Sequence, residues 1–211
     1  MDNKQKGITK NGWYFLAGVF ILYGLVSLLM LLIPVVDFLT FITRWAALMG
    51  YVSLFIATLL ANYVREVFKN LGKPFMKIHH YFAIVGILLV TAHPVAFAIQ
   101  VSDITVFIPD VSSWYRFWLL AGRPALYVIY ASVIAAILRK KINKYWRQIH
   151  ALMYLALLFG LVHAIMIGTD FTNAEGVTMI ILFNAMFTIS FGIFLKKRLE
   201  KRKRKQSTKK K

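Results

Sequence analysis

The chain has 211 residues, 59% of them hydrophobic, and a mean hydropathy of +0.65, values that exclude an ordinary soluble domain. Its formal charge is +18, and the absence of cysteine from the sequence excludes a disulfide, a thiolate metal site and a redox thiol. We therefore expect a membrane protein whose chemistry depends on groups other than thiols.

Six apolar segments are each long enough, at about 1.5 Å per residue, to cross a hydrocarbon core of about 30 Å. The first is too long for the apolar region of a signal peptide, so we expect it to be retained. The sequence predicts an all-α membrane protein, a six-transmembrane helix bundle formed by residues 1–195. The predicted spans are Trp13–Ile33, Trp45–Val64, His79–Gln100, Trp118–Leu138, Ile149–Gly168 and Val177–Leu195.

The basic residues are concentrated on one side of this topology. All but three of the 26 precede the first span, lie between the second and third or the fourth and fifth, or follow the sixth. The positive-inside rule then predicts a multi-pass plasma-membrane protein with both termini in the cytoplasm, and the same distribution argues against nucleic acid as a partner. The cytoplasmic residues are Lys4, Lys6 and Lys10; Arg65, Lys69, Lys73 and Lys77; Arg139, Lys140, Lys141, Lys144 and Arg147; and those of the tail.

The third span, "HHYFAIVGILLVTAHPVAFAIQ", carries three of the five histidines. An ionisable residue is costly inside a membrane and is a functional hypothesis by default. His79 and His93 are fourteen residues apart, about 40° short of four full turns, so their imidazoles share a helix face about 21 Å apart. His80 lies about 140° from that face. We therefore predict that His79 is a ligand and that His80 is its neighbour.

The fifth span, "WRQIHALMYLALLFGLVHAI", repeats this arrangement, with His150 near the inner face and His163 further out. These two are thirteen residues apart, which an ideal helix would not align. We expect a kink, local tightening or different approach angles to absorb the difference.

Two imidazoles per level, from two different helices, are the ligand set that a bis-histidine haem needs. Carboxylates and thiolates are absent from these depths of the sequence. No C-x-x-C-H attachment motif occurs, so we expect two non-covalent b-type haems. The alternative is that the histidines are isolated hydrogen-bonding residues between helices.

The segments "HHYFAIVGILLVTAHP" and "WRQIHALMYLALLFGLVHA", joined by a span containing "AGRPALYVIYASVIAAILRKK", resemble the ferric reductase-like transmembrane domain. That family includes the membrane parts of ferric reductases and NADPH oxidases, and the haem-binding subunit of the bacterial methionine sulfoxide reductase system. The resemblance covers essentially the whole chain. It implies a six-helix bundle with two stacked haem sites, the inner on His79 and His150 and the outer on His93 and His163. His80 beside His79 departs from some members.

Three further features bear on a haem site. Arg123 lies in the outer part of the fourth span, where we expect it to pair with a propionate of the outer haem; the alternative is snorkelling to the head groups. Pro94 is expected to kink the third span. Gly86 and Gly160 would let a flat macrocycle approach the backbone, or else serve ordinary helix packing.

Imidazole on both sides of each iron leaves no open position, which favours electron transfer. We predict transmembrane electron transfer from the cytoplasmic face to ferric iron, oxygen or a partner protein outside, by an oxidoreductase membrane component. The sequence has no Gly-rich dinucleotide fingerprint, so we expect the donor to be a separate flavoprotein reductase carrying FAD or FMN, or membrane quinol. The alternatives are a small transporter or proton channel with histidine relay groups, and an assembly subunit whose histidines only pack.

The tail "KKRLEKRKRKQSTKKK", residues 196–211, is predicted to be a disordered basic cytoplasmic segment. We expect it to fix topology and to bind anionic head groups of membrane lipid. The alternative is a docking site for an acidic soluble partner.

Overall fold

The computed structural model describes residues 7–72, 74–172 and 174–209. Within these ranges the chain forms α-helices, two 3₁₀ turns (Ile104–Phe107 and Thr169–Phe171) and no strand, which confirms the all-α prediction. The basic residues Lys4, Lys6, Lys73, Lys210 and Lys211 lie outside the described residues. The helices are α1 (Lys10–Leu31), α2 (Phe38–Ala61), α3 (Val64–Leu71), α4 (Phe75–Val101), α5 (Trp114–Leu119), α6 (Gly122–Ile137), α7 (Trp146–His150), α8 (Met153–Ile167) and α9 (Ala174–Lys209).

Among the described helices, five are long and apolar enough to cross a membrane: α1, α2, α4, α7 together with α8, and α9. Large apolar side chains such as Phe20, Leu88 and Ile181 are exposed on their outer faces, as expected for lipid-facing surfaces. The predicted fourth span, Trp118–Leu138, is instead divided between α5 and α6, and α6 has only 16 residues. The chain is therefore a helical membrane protein, and a sixth full span stays a prediction.

Two helix boundaries differ from the predicted spans. α2 begins at Phe38 rather than Trp45, because the Asp37 side chain caps it by accepting a 2.9 Å hydrogen bond from the Thr40 N–H. The start of α2 was not predicted because the first turns of this helix contain polar residues. α9 continues past Leu195 to Lys209 without a break, so the prediction of a disordered tail is wrong as far as the structure describes the tail. Lys, Arg and Gln are good helix formers, and they extend a helix that the apolar span has already started.

α2 is the central helix, and α1, α4, α8 and α9 pack around it. Its antiparallel neighbour α4 approaches closely because glycines face apolar side chains. A Cβ on Gly50 would lie 2.7 Å from Val90, and a Cβ on Gly86 would lie 2.8 Å from Leu54. Gly86 therefore serves helix packing rather than the approach of a macrocycle. The largest fully buried core side chains are Val26, Met30, Met49, Val52, Ile56, Met179 and Phe183.

The two ends of the bundle differ in charge. We call the end where α2 and α6 finish and α4 and α7 begin the basic end, because the basic connections and the tail lie there. We call the opposite end, where α2 and α6 begin, the acidic end. Its connections hold Asp37, Asp103, Asp110 and Asp170.

A buried ion pair joins three elements at the acidic end. Arg44 of α2 donates to Asp170, with Nη2 2.6 Å from Oδ1 and Nε 3.1 Å from Oδ2. The same guanidinium donates to the carbonyls of Met30 and Pro34, at 3.1 and 3.0 Å. The last carbonyls of a helix have no partner within it, and Arg44 supplies one at the end of α1. The pair therefore fixes α1, α2 and the α8–α9 turn to one another.

We predict that Arg44→Met lowers the free energy of unfolding by about 3–5 kcal/mol, because it leaves the Asp170 carboxylate buried without its partner. The control is Arg116→Met, which breaks the exposed pair between Arg116 and Asp110 and should change stability little. Denaturant unfolding in detergent, followed by circular dichroism, measures both. Equal losses in the two variants would show that the buried pair does not hold these elements together.

Candidate functional site

The four histidines of the predicted spans meet as two pairs. His79 of α4 and His150 of α7 form the inner pair, with ring centres 6.3 Å apart. His93 of α4 and His163 of α8 form the outer pair, with ring centres 6.4 Å apart. The ring planes are nearly perpendicular in both, at 75° and 70°. The two pairs lie at two levels of the bundle, about 21 Å apart along α4.

Each imidazole is held in the same way, with its Nδ1 at hydrogen-bond distance from a backbone carbonyl of a neighbouring helix. A carbonyl only accepts, so each Nδ1 carries the proton and each Nε2 carries the lone pair. This is the tautomer of an Nε2 metal ligand, and such second-shell bonds fix the ring orientation. The bonds join His79 to Ala57 (3.1 Å), His93 to Thr43 (2.9 Å), His150 to Ser132 (3.0 Å) and His163 to Leu119 (2.9 Å).

The spacing of the carbonyls matches the spacing of the histidines. Thr43 and Ala57 on α2 are fourteen residues apart, as are His79 and His93 on α4. The carbonyls that hold the other two rings are thirteen residues apart, and so are the rings: they are Leu119 and Ser132, for His163 and His150. Two antiparallel hairpins thus have the same design, in which the first helix offers carbonyls and the second offers imidazoles.

The thirteen-residue spacing is accommodated by a helix interruption, as the sequence required. α7 ends at His150 and α8 begins at Met153. Between them, Leu152 N–H donates to Ile149 O at 3.0 Å, and Tyr154 N–H donates to Ala151 O at 3.2 Å. These i to i+3 bonds are of the tighter 3₁₀ type. A 3₁₀ turn has more rotation per residue than an α-helix, which turns the two rings towards the same side of the chain.

The ring separation agrees with two ligands on opposite sides of one metal. An imidazole nitrogen binds a metal at about 2.0–2.1 Å and lies about 1.2 Å from its own ring centre, so two such ligands place their ring centres about 6.4 Å apart. Both pairs match that value. Within the described ranges no group of three or more His, Cys, Asp or Glu could hold a bare metal ion, and the histidines meet only two at a time.

A cavity of about 430 Å³ surrounds the outer pair and is lined mainly by apolar side chains. Two of its lining residues, Thr43 and Tyr51, carry buried hydroxyls with no hydrogen-bond partner among the described residues. Such groups are costly unless something pairs with them. The cavity therefore suits a ligand that is largely apolar and carries polar groups at its edge.

Gly122, the first residue of α6, packs directly against the imidazole ring of His163. A Cβ at this position would lie 2.6 Å from Cδ2 and 2.8 Å from Nε2 of that imidazole. No side chain larger than hydrogen fits there without moving the ring. Gly160, by contrast, faces the Tyr51 ring at an ordinary 3.6 Å.

Arg123 and His80 occupy different surroundings. Arg123 follows Gly122, lines the same cavity and donates through Nη1 to the Ile108 carbonyl at 2.7 Å. His80 is exposed, and its ring centre lies 5.9 Å from that of His79.

In the connections of the acidic end, hydrogen bonds within the local turns stabilise the ionised form of the Asp side chains. Hydrogen bonds from the Ser112 hydroxyl and N–H lower the pKa of Asp110 to about 2, with Arg116 adding to the effect. Bonds from Thr105 and from Thr40 likewise lower the pKa of Asp103 and of Asp37. The negative charge of this end therefore persists well into acidic conditions.

Several residues of the site had no signal in the sequence. The four carbonyls belong to residues of no shared type, since any backbone can supply them. Thr43 precedes the predicted second span, and Tyr51 is an ordinary member of that span. Gly122 stood in the Gly-Arg pair of the fourth span, which alone is a weak motif.

No family model, curated protein or solved structure matches this chain. The likeness to ferric reductase-like domains therefore rests on the sequence motifs alone.

We predict that Gly122→Ala displaces the His163 ring and disrupts the outer pair alone. If each pair holds one of the haems expected from the sequence, haem per chain should fall from two towards one. Gly160→Ala is the matched control, because its Cβ meets Tyr51 only at contact distance. Pyridine haemochrome analysis of both variants gives the measurement, and equal haem content in the two would contradict the role assigned to Gly122.

Proposed function

We propose that this chain is a transmembrane electron-transfer protein whose inner and outer histidine pairs each hold one b-type haem. The observation that carries the proposal is the set of four Nδ1–carbonyl bonds, which place the lone pair of both rings on Nε2 at each level. The ring separations of 6.3 and 6.4 Å suit a metal between them. The resemblance to ferric reductase-like domains leads to the same function.

The residues present fit haem better than a bare ion. Each level offers two imidazoles, so the other positions of a metal would have to be filled by a macrocycle, and the outer pair lies in an apolar cavity that would hold one. When bound, such a haem supplies one-electron redox chemistry. At the acidic end, Arg123 and the Thr43 hydroxyl offer polar groups suited to propionates. Two imidazoles at each level would leave a bound haem no open position, which would favour electron transfer over oxygen binding at iron.

The path runs from the basic end to the acidic end. Positive charge at the basic end predicts that it faces the cytoplasm, with both termini there. α5 and α6 together serve as the sixth crossing, although α6 alone is short. Leu119 at their start holds the outer pair and Ser132 near their end holds the inner pair, so this segment runs the distance between the two levels.

The donor and the acceptor belong to other molecules. We propose a separate cytoplasmic flavoprotein carrying FAD or FMN, or membrane quinol, as donor. A ferric chelate, oxygen or a partner protein is the acceptor outside. Proton conduction is not favoured, because every Nδ1 proton is committed to a backbone carbonyl that cannot pass it on.

We predict that the protein carries electrons across a membrane through the outer pair. Vesicles sorted by orientation would receive dithionite on the tail side only, with an impermeant ferric chelate on the other. Reduction of the chelate should fall to the background of protein-free vesicles in the double variant His93→Ala/His163→Ala, because the outer haem has lost both ligands. Reduction that persists in that variant would rule out the outer pair as the route.

We also predict that His79, and not His80, holds the inner haem. His79→Ala should remove or convert that haem, since His79 faces His150, whereas His80→Ala should retain most of it because His80 is exposed. Reduced-minus-oxidised spectra with haem quantification distinguish the two. Loss of the inner haem in the His80 variant alone would reverse the assignment.

A further inference from the structure

α9 does not end with its apolar segment. It runs as one helix from Ala174 to Lys209, and fourteen of its residues follow Leu195, the end of the predicted span. At about 1.5 Å per residue, these extend about 21 Å beyond the apolar part. We call residues 196–209 the basic extension.

The root of the basic extension is fixed to the bundle. Lys197 Nζ donates to the Asn62 carbonyl at the end of α2 and lies 3.8 Å from the centre of the Tyr63 ring. One turn earlier, Phe194 stacks on Tyr154 of α8, with ring centres 4.5 Å apart. The extension therefore leaves the basic end beside α8, close to the level of the inner pair.

The composition of the basic extension does not suit a helix lying on a membrane. It holds nine Lys or Arg, one acid (Glu200) and one large apolar residue (Leu199). An interfacial helix needs an apolar stripe to bury among the lipids, and this segment has none. As an unbroken continuation of a membrane span, it leads away from the surface. Arg202 lies about 10 Å past Leu195, beyond the Debye length of about 8 Å over which head-group charge acts.

A second basic segment leads into α7, which carries His150 of the inner pair. The connection between α6 and α7 has exposed side chains at Arg139, Lys140, Lys141 and Lys144, and Arg147 of α7 is exposed three residues before His150. The basic extension is thus fixed to α2, which holds one inner imidazole through a carbonyl. The connection leads into α7, which carries the other inner imidazole. An approaching macromolecule of opposite charge would be directed to this level of the bundle.

We propose that the basic extension and the 139–147 connection form a docking surface for an acidic, soluble electron-donor protein. This inference rests on the proposed function and identifies the surface chemistry of its donor. Complementary charge raises the rate of encounter and orients the partner, so the surface acts mainly on the association rate. The donor is then presented to the inner pair, from which electrons enter the path.

The test uses photoreduced flavodoxin, an acidic flavoprotein, and the full chain in phosphatidylcholine vesicles. The variant is Arg202→Glu/Arg204→Glu in the basic extension. The matched control reverses the same number of charges on α3, at exposed Arg65 and Lys69 of the same end. We expect the extension variant to lower the second-order rate of haem reduction by about tenfold or more and to weaken its salt dependence. The α3 variant should change the rate little, and dithionite should reduce all three proteins equally.

Binding of flavodoxin, followed by its flavin fluorescence, tests the docking surface without any need for haem. Failure of the parent protein to bind at low ionic strength, or equal losses in the two variants, would overturn the docking proposal. So would an extension variant that binds flavodoxin normally and differs from the parent only in vesicles containing phosphatidylglycerol, because the extension would then be a lipid anchor. A protein that shows no haem bands with dithionite would instead refute the proposed function, and the binding assay would still decide the docking surface.

Discussion

The hydrogen bond from each intramembrane imidazole to a backbone carbonyl is the interaction on which the rest of this structure depends. A histidine inside a hydrocarbon core needs a partner for its N–H, and a helix carbonyl has a second lone pair to offer. Satisfying the N–H fixes the tautomer, the ring orientation and the side on which the remaining lone pair lies. Four such bonds bring four costly side chains together as two pairs, in which every ring carries its lone pair on Nε2.

The arrangement of helices follows from those bonds. α2 with α4, and α5–α6 with α7–α8, are two antiparallel hairpins in which one arm holds the rings of the other. The first hairpin has continuous helices and a fourteen-residue spacing. The second has a thirteen-residue spacing, and each of its arms is interrupted once, between α5 and α6 and between α7 and α8. The buried pair of Arg44 and Asp170 then closes the acidic end around the outer pair.

The sequence predicted what depends on periodicity and on residue type. Apolar length predicted the five spans that the structure supports. Helical arithmetic put His79 on the face of His93 and predicted that a kink, local tightening or different approach angles would be needed in the fifth span. The sequence could not predict the hydrogen bonds that backbone carbonyls accept. The start of α2 was missed because polar Thr40, Thr43 and Arg44 occupy it. The pairing of Arg44 with Asp170 joins residues 126 positions apart, which no local pattern reports. The break between α5 and α6, which shortens α6, was also not predicted. The residues at this break are as apolar as their neighbours, so the hydropathy of the segment does not report it.

The central claim is that each pair of imidazoles binds one haem iron from both sides, and electron paramagnetic resonance of the oxidised purified protein tests it most directly. Ring planes at 75° and 70° predict two low-spin ferric signals of the strongly anisotropic kind that near-perpendicular axial imidazoles give. Both signals should be lost together with their own pair of histidines. A protein that stays colourless after expression with ample haem, or a high-spin ferric signal from an iron with an open position, would contradict the account.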